Sequence, residues 1–151
     1  MTSKLLLRLA AVLTFIHGVL HTAGGLFRTP SNGPTETAVI EAMKSVSFNF
    51  MGSMRSYWDF YFGFGLNVSV TLLIETVVLW QLADLVSAAP WRARPLIATF
   101  VVAFLAMAEL SYRYFFIAPS VTELVIAVLL VAAYLRARSA APAAAPVSAT
   151  K

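Results

Sequence analysis

His17 and His21 are the residues whose type and spacing most suggest chemistry. At i and i+4 they share one face of a helix. With a carboxylate from a neighbouring helix, such a pair could hold a divalent metal, since imidazole plus carboxylate suits zinc, iron or manganese. One of them could instead be an axial haem ligand. They could also move a proton, hold an organic ligand, or sit hydrogen-bonded inside a helical bundle. The intervening residues are Gly18-Val19-Leu20, so the Glu of the metalloprotease H-E-x-x-H helix is missing. Cysteine is absent, which excludes thiolate metal sites, thiol catalysis and redox dithiols.

The other polar candidates lie in apolar surroundings. They are Trp58, Asp59, Asn67 and Glu75 in a second apolar run, Glu109 and Arg113 in a third, and Glu123 in a fourth. A charged side chain at mid-bilayer costs roughly 2.5–3.5 kcal/mol on insertion scales, so such residues face a bundle interior or a cavity. Glu109 and Arg113 are spaced for a helical ion pair. Asp59 could cap its helix or pair with Arg55. Asn67 and Thr71 are expected to bond across helices. Glu75 points roughly opposite to Asp59, because 16 residues at about 100° each leave a remainder near 160°. Gly63 and Gly65 would let another helix approach closely.

The elements that must position these residues are four apolar runs. They are Leu5 to Phe27, Tyr57 to Leu85, Pro95 to Tyr112 or Phe116, and Ser120 to Leu135, giving spans at about 5–27, 57–82, 95–114 and 120–136. The first is read as a retained helix, not a cleaved signal, with Gly24 and Gly25 marking its end. Pro119 and Ser120 are expected to turn the third run into the fourth as an antiparallel hairpin. The Arg28–Ser56 stretch is a loop holding one short amphipathic helix, capped by Thr35 or Thr37, with Val39, Ile40, Met43 and Val46 on one side. That helix could lie on the membrane or form a lid over a site. Residues 139–151 are an Ala/Pro-rich tail expected to be disordered. The predicted fold is an all-α, four-helix antiparallel membrane bundle within residues 1–138.

Composition agrees. Of 151 residues, 60% are hydrophobic and 12% charged, with a mean hydropathy of +0.80; soluble domains carry roughly 25% charged residues. The net charge of +4 is spread over the ends of the runs, which argues against a nucleic-acid partner. With the N-terminus inside, Lys4, Arg8, Arg92, Arg94, Arg136, Arg138 and Lys151 are cytoplasmic, and Arg28, Lys44, Arg55 and Arg113 are not. The positive-inside rule then predicts cytoplasmic termini. In that orientation His17, His21, Asp59, Glu109, Arg113 and Glu123 all fall in the outer halves of their helices.

His17-Gly-Val-Leu-His21-Thr-Ala-Gly-Gly25, followed by a helical loop and Arg55-Ser-Tyr-Trp-Asp-Phe-Tyr-Phe-Gly-Phe-Gly65, resembles a family of small bacterial four-helix integral membrane proteins. The layout over most of residues 5 to 135 is distantly similar to DoxX-like proteins. A vaguer similarity is to the sterol-isomerase and sigma-receptor-like bundles. The resemblance implies a four-helix bundle in the bacterial inner membrane and no particular reaction. The expected function is binding of a small lipophilic or quinone-like ligand, or service as a membrane-complex subunit, through the outer polar cluster and without a cofactor. The alternatives are an intramembrane isomerase or oxidoreductase using a histidine–carboxylate pair, or a haem or metal protein. The partners expected are the lipid bilayer, a lipophilic molecule, and a second copy or another membrane subunit. Transport has the least support, since no inverted repeat is visible.

Overall fold

The computed structural model describes residues 1–30 and 32–137. The order is α1 (Ser3–Leu20), a π-helical segment (His21–Leu26), α2 (Pro34–Ser45), β1 (Ser47–Phe50), β2 (Ser53–Ser56), α3 (Tyr57–Ala88), α4 (Pro90–Tyr114) and α5 (Ile117–Arg136). Four stretches, Ser3–Leu26, Tyr57–Ala88, Pro90–Tyr114 and Ile117–Arg136, are long and apolar enough to cross a membrane. The all-α class and the four spans are therefore as the sequence predicts. The expected tail at 139–151 lies outside the described residues.

The chain divides into two compact units. One holds Met1–Ala11 and the chain from Val78 onward; the other holds Val12–Val77. In the first unit, α4 and α5 form a tight hairpin. Ala93, Ile97, Phe104, Ala108 and Ser111 are buried at helical spacing on α4, against Ser120, Glu123, Ile126, Ala127, Leu130 and Ala133 on α5. Small residues on both faces let the backbones approach. The Ser120 hydroxyl donates to the Ala108 carbonyl at 2.9 Å across the hairpin. The turn is Phe115–Phe116, not Pro119–Ser120, and Pro119 sits inside the first turn of α5. Proline is tolerated there because the first helical N–H groups have no intrahelical partner. For the same reason α4 starts at Pro90, five residues before the expected start, with extended Ala89 at its cap (φ −146°, ψ 76°).

The second unit contains a feature the sequence reading missed. Where a helix in a loop was expected, the chain forms that helix and then a β-hairpin. Ser47 pairs with Ser56 and Phe50 with Ser53, antiparallel. Met51 and Gly52 make the turn at φ 50° and 86°, and the Gly52 N–H donates to the Asn49 side chain at 2.9 Å. Two positive φ values give the twist that closes a two-residue hairpin. Phe48 and Phe50 lie on one face of β1; Phe48 stacks on Phe60 of α3 at a centroid distance of 6.0 Å, and Phe50 meets it edge-to-face at 5.3 Å. α2 is entered through Gly33 (φ 87°) and Pro34, with no side-chain cap from Thr35 or Thr37. The Glu36 carboxylate instead accepts the Asn32 N–H at 2.8 Å and pairs with Arg28. No residue of α2 is buried.

Candidate functional site

The C-terminal half of α1 and its π-helical extension pack antiparallel to the first half of α3. Gly18 faces Leu72; a Cβ on Gly18 would come within 3.3 Å of the Leu72 Cβ. One turn on, Thr22 Oγ1 lies 2.8 Å from Ser69 Oγ. One turn further, the Leu26 side chain closes over Gly65, so that a Cβ there would have to push it aside. Partners thus move backward along α3 as α1 advances. The rule at work is small residues every four positions on both helices, Gly18 and Thr22 against Gly65 and Ser69. Gly65 makes the close approach expected of it, whereas Gly63 faces open space.

The helix does not end at Gly24–Gly25. Both glycines lie inside the π-helical segment His21–Leu26. Wider π turns are frequent at functional sites. Here the segment carries His21, whose Nε2 lies 3.1 Å from the Gly65 carbonyl oxygen. A carbonyl can only accept, so the imidazole donates from Nε2. The hydroxyls form a chain: Thr22 lies 2.7 Å from the Gly18 carbonyl, and Ser69 lies 3.2 Å from the Gly65 carbonyl. These two contacts and the Thr22–Ser69 contact share only two hydroxyl protons, so one acceptor position is always left over.

A groove of about 570 Å³ opens beside this hydroxyl pair. Phe15, Val19, Phe27, Val70 and Leu73 supply apolar walls, and Thr22 and Ser69 the polar groups. His17 and His21 are not among its lining residues. His17 is half-buried, and its Nδ1 is buried without a hydrogen-bond partner. Thr22 and Ser69 were not singled out from the sequence. Their Gly-x-x-x-Thr and Gly-x-x-x-Ser spacing was the signal that could have found them.

The remaining candidates of this unit are engaged locally. Asp59 accepts the Ser56 N–H at 2.7 Å, while the Asp59 N–H donates to Ser56 Oγ at 3.2 Å. This reciprocal capping box starts α3. Arg55 makes no close ion pair with Asp59, since its guanidinium donates to the Met54 carbonyl at 2.8 Å, but its charge still acts on the Asp59 carboxylate. Trp58 stacks on Tyr61 and Phe62 and lies under the Lys44 ammonium. Asn67 does not bond across helices. Its amide donates to the Gly63 carbonyl of its own helix at 3.1 Å, the nearest acceptor one turn back. Ser69 makes the cross-helix contact instead.

In the other unit Glu109 and Arg113 form an ion pair on the exposed face of α4. Glu123 is only 3% exposed. The Ser111 hydroxyl hydrogen-bonds its carboxyl, and Oε2 has no partner. Among the described residues no group of three or more His, Cys, Asp and Glu side chains is arranged to hold a metal.

Four spanning-length helices and a groove open along two of them define the class, a multi-pass helical membrane protein. No family model matches the chain, and neither a curated protein nor a solved structure is significantly similar to it.

Proposed function

We propose that the protein binds a small lipophilic molecule in the groove between α1 and α3. The observation that carries this reading is the joining of apolar walls to a Thr22–Ser69 hydroxyl pair with a vacant acceptor position. Its volume falls within the roughly 300–1,000 Å³ of small-molecule sites, which are mostly apolar with a few placed polar groups. A ligand with a hydroxyl head would donate its proton to the spare oxygen of the Thr22–Ser69 pair and lay its apolar body along Phe15, Val19 and Leu73. His21 would act by positioning, holding the π turn that presents Thr22. The bacterial inner membrane, with both termini cytoplasmic, is the proposed location, supported by the basic residues at the two termini and the α3–α4 turn.

A photoreactive quinol (the hydroxyl-bearing reduced form of a quinone) with a diazirine tail tests this on the purified full-length protein. Labelling is expected on residues 15–27 and 69–73. Ala23→Trp, which fills the groove, should reduce it about tenfold, the effect of roughly 1.4 kcal/mol of lost binding. Thr22→Val with Ser69→Ala should weaken it while leaving the protein folded. Labelling that maps elsewhere, or is unchanged in Ala23→Trp, overturns the reading. Protection of the groove by a second copy, seen as a dimer cross-link through Phe15, also overturns it in favour of an assembly surface.

A further inference from the structure

The unit made of Met1–Ala11 and the chain from Val78 onward gathers helix ends at one place. Lys4 Nζ and Arg8 Nη2 both reach Asp84 Oδ1, at 2.7 and 3.3 Å, which joins the start of α1 to the end of α3. Arg136 Nη1 donates to the Met1 carbonyl at 3.0 Å, which joins the end of α5 to the start of α1. Arg94 Nη1 donates to the Ala137 carbonyl at 3.0 Å, which joins the start of α4 to the end of α5. Four helix termini therefore meet through named bonds.

The charge there is unbalanced. Asp84 is the carboxylate of this end, and two cations share it, so the trio keeps one positive charge. Arg136 is exposed and bonds a neutral carbonyl. Arg92 is exposed and stacks on Trp91 with its Cζ 4.7 Å from the ring centroid. Among the described residues no carboxylate lies within ion-pair distance of Arg92 or Arg136. Arg8 lies over Trp80 at 4.9 Å, and Arg94 over Tyr134 at 4.3 Å. Indole and phenol rings at span ends mark the headgroup level. The Arg92 guanidinium, stacked on Trp91 and outside any ion pair, offers the fork geometry that matches a phosphate.

We infer that this end is a binding site for the phosphodiester headgroup of an anionic phospholipid, with Arg92 and Arg136 as its principal ligands. The surplus charge and the aromatic ring level together select this partner. A soluble anion would have no use for rings at the headgroup level, and a zwitterionic lipid would bring its own cation against the arginines.

The test uses the purified full-length protein in neutral detergent, offered equal phosphatidylglycerol and phosphatidylcholine and examined by native mass spectrometry. Phosphatidylglycerol is expected to be retained preferentially by about fivefold or more, the effect of one cation at a membrane surface. Arg92→Gln with Arg136→Gln should bring the preference close to unity. Arg55→Gln with Arg113→Gln, remote from this site in sequence, should leave it unchanged. Raising salt from about 50 to about 500 mM should erode it, as screening requires. Melting curves in phosphatidylcholine alone establish that both double variants fold. Equal retention of the two lipids by the wild type overturns the site. So does an undiminished preference in Arg92→Gln with Arg136→Gln, or full competition by glycerol phosphate without acyl chains.

Discussion

Asp59 shows how one side chain can carry two readings. As an ionisable group at the edge of a span it is a candidate site residue, but both of its hydrogen bonds run to Ser56, at the start of its own helix. Capping interactions of this kind contribute about 1 kcal/mol. Asp59→Ala is therefore expected to lower unfolding stability in detergent by about that amount and to leave quinol labelling of the groove unchanged. Lost labelling in a folded variant would return Asp59 to the site. Thr22 and Ser69 show the reverse. Neither is ionisable, and both drew no notice among the charged residues, yet they are the polar lining of the apolar groove. A search weighted by desolvation cost finds charges first, whereas a lipophilic ligand needs only a hydrogen bond in an apolar wall. Glu109 and Arg113 satisfied the spacing rule for a helical pair and formed one, on an exposed face.

At the scale of elements, the long apolar runs were legible because a span is a composition over some 20 residues, which no single substitution hides. Boundaries were less so. Pro95 and Pro119 read as the start of the third run and the turn before the fourth, yet α4 begins at Pro90 and carries Pro95 inside it, while α5 holds Pro119 in its first turn, where no intrahelical bond is lost. The β-hairpin was invisible for another reason. Its strands have four residues each, without a single β-branched side chain, and its turn is Met-Gly instead of Asn-Gly. Met51 holds φ 50° with its side chain 92% exposed. A left-handed conformation costs a non-glycine residue about 1–2 kcal/mol, and asparagine tolerates it better. Met51→Asn is thus expected to stabilise the hairpin by about 0.5–1 kcal/mol, read as slower amide exchange in residues 47–56. Faster exchange would mean that the exposed methionine has a stabilising contact in the membrane-inserted protein.

For the whole molecule, fold class was readable and the groove was not, because packing depends on which faces of α1 and α3 meet. Orientation depends instead on loop charge, and it yields a prediction independent of the groove. The end holding Lys4, Arg8, Arg92 and Arg136 is linked by bonds among helix termini, so it must lie on one side of the bilayer. By the positive-inside rule, the surplus of cations predicts that this side faces the cytoplasm. The absence of cysteine makes this directly measurable, since any introduced thiol is the only one. Ala38 on α2 and Ala88 at the end of α3 are both exposed, so neither substitution disturbs a core. In intact cells a membrane-impermeant maleimide should label Ala38→Cys and leave Ala88→Cys untouched until the membrane is permeabilised. The opposite pattern would invert the chain and remove the positive-inside argument. It would also move the proposed phospholipid site to the other leaflet. Labelling of both from outside would contradict a span between Tyr57 and Ala88. If the expected pattern holds, the hairpin and α2 face outward, and the mouth of the α1–α3 groove lies in the outer half of the bilayer, where its ligand would enter.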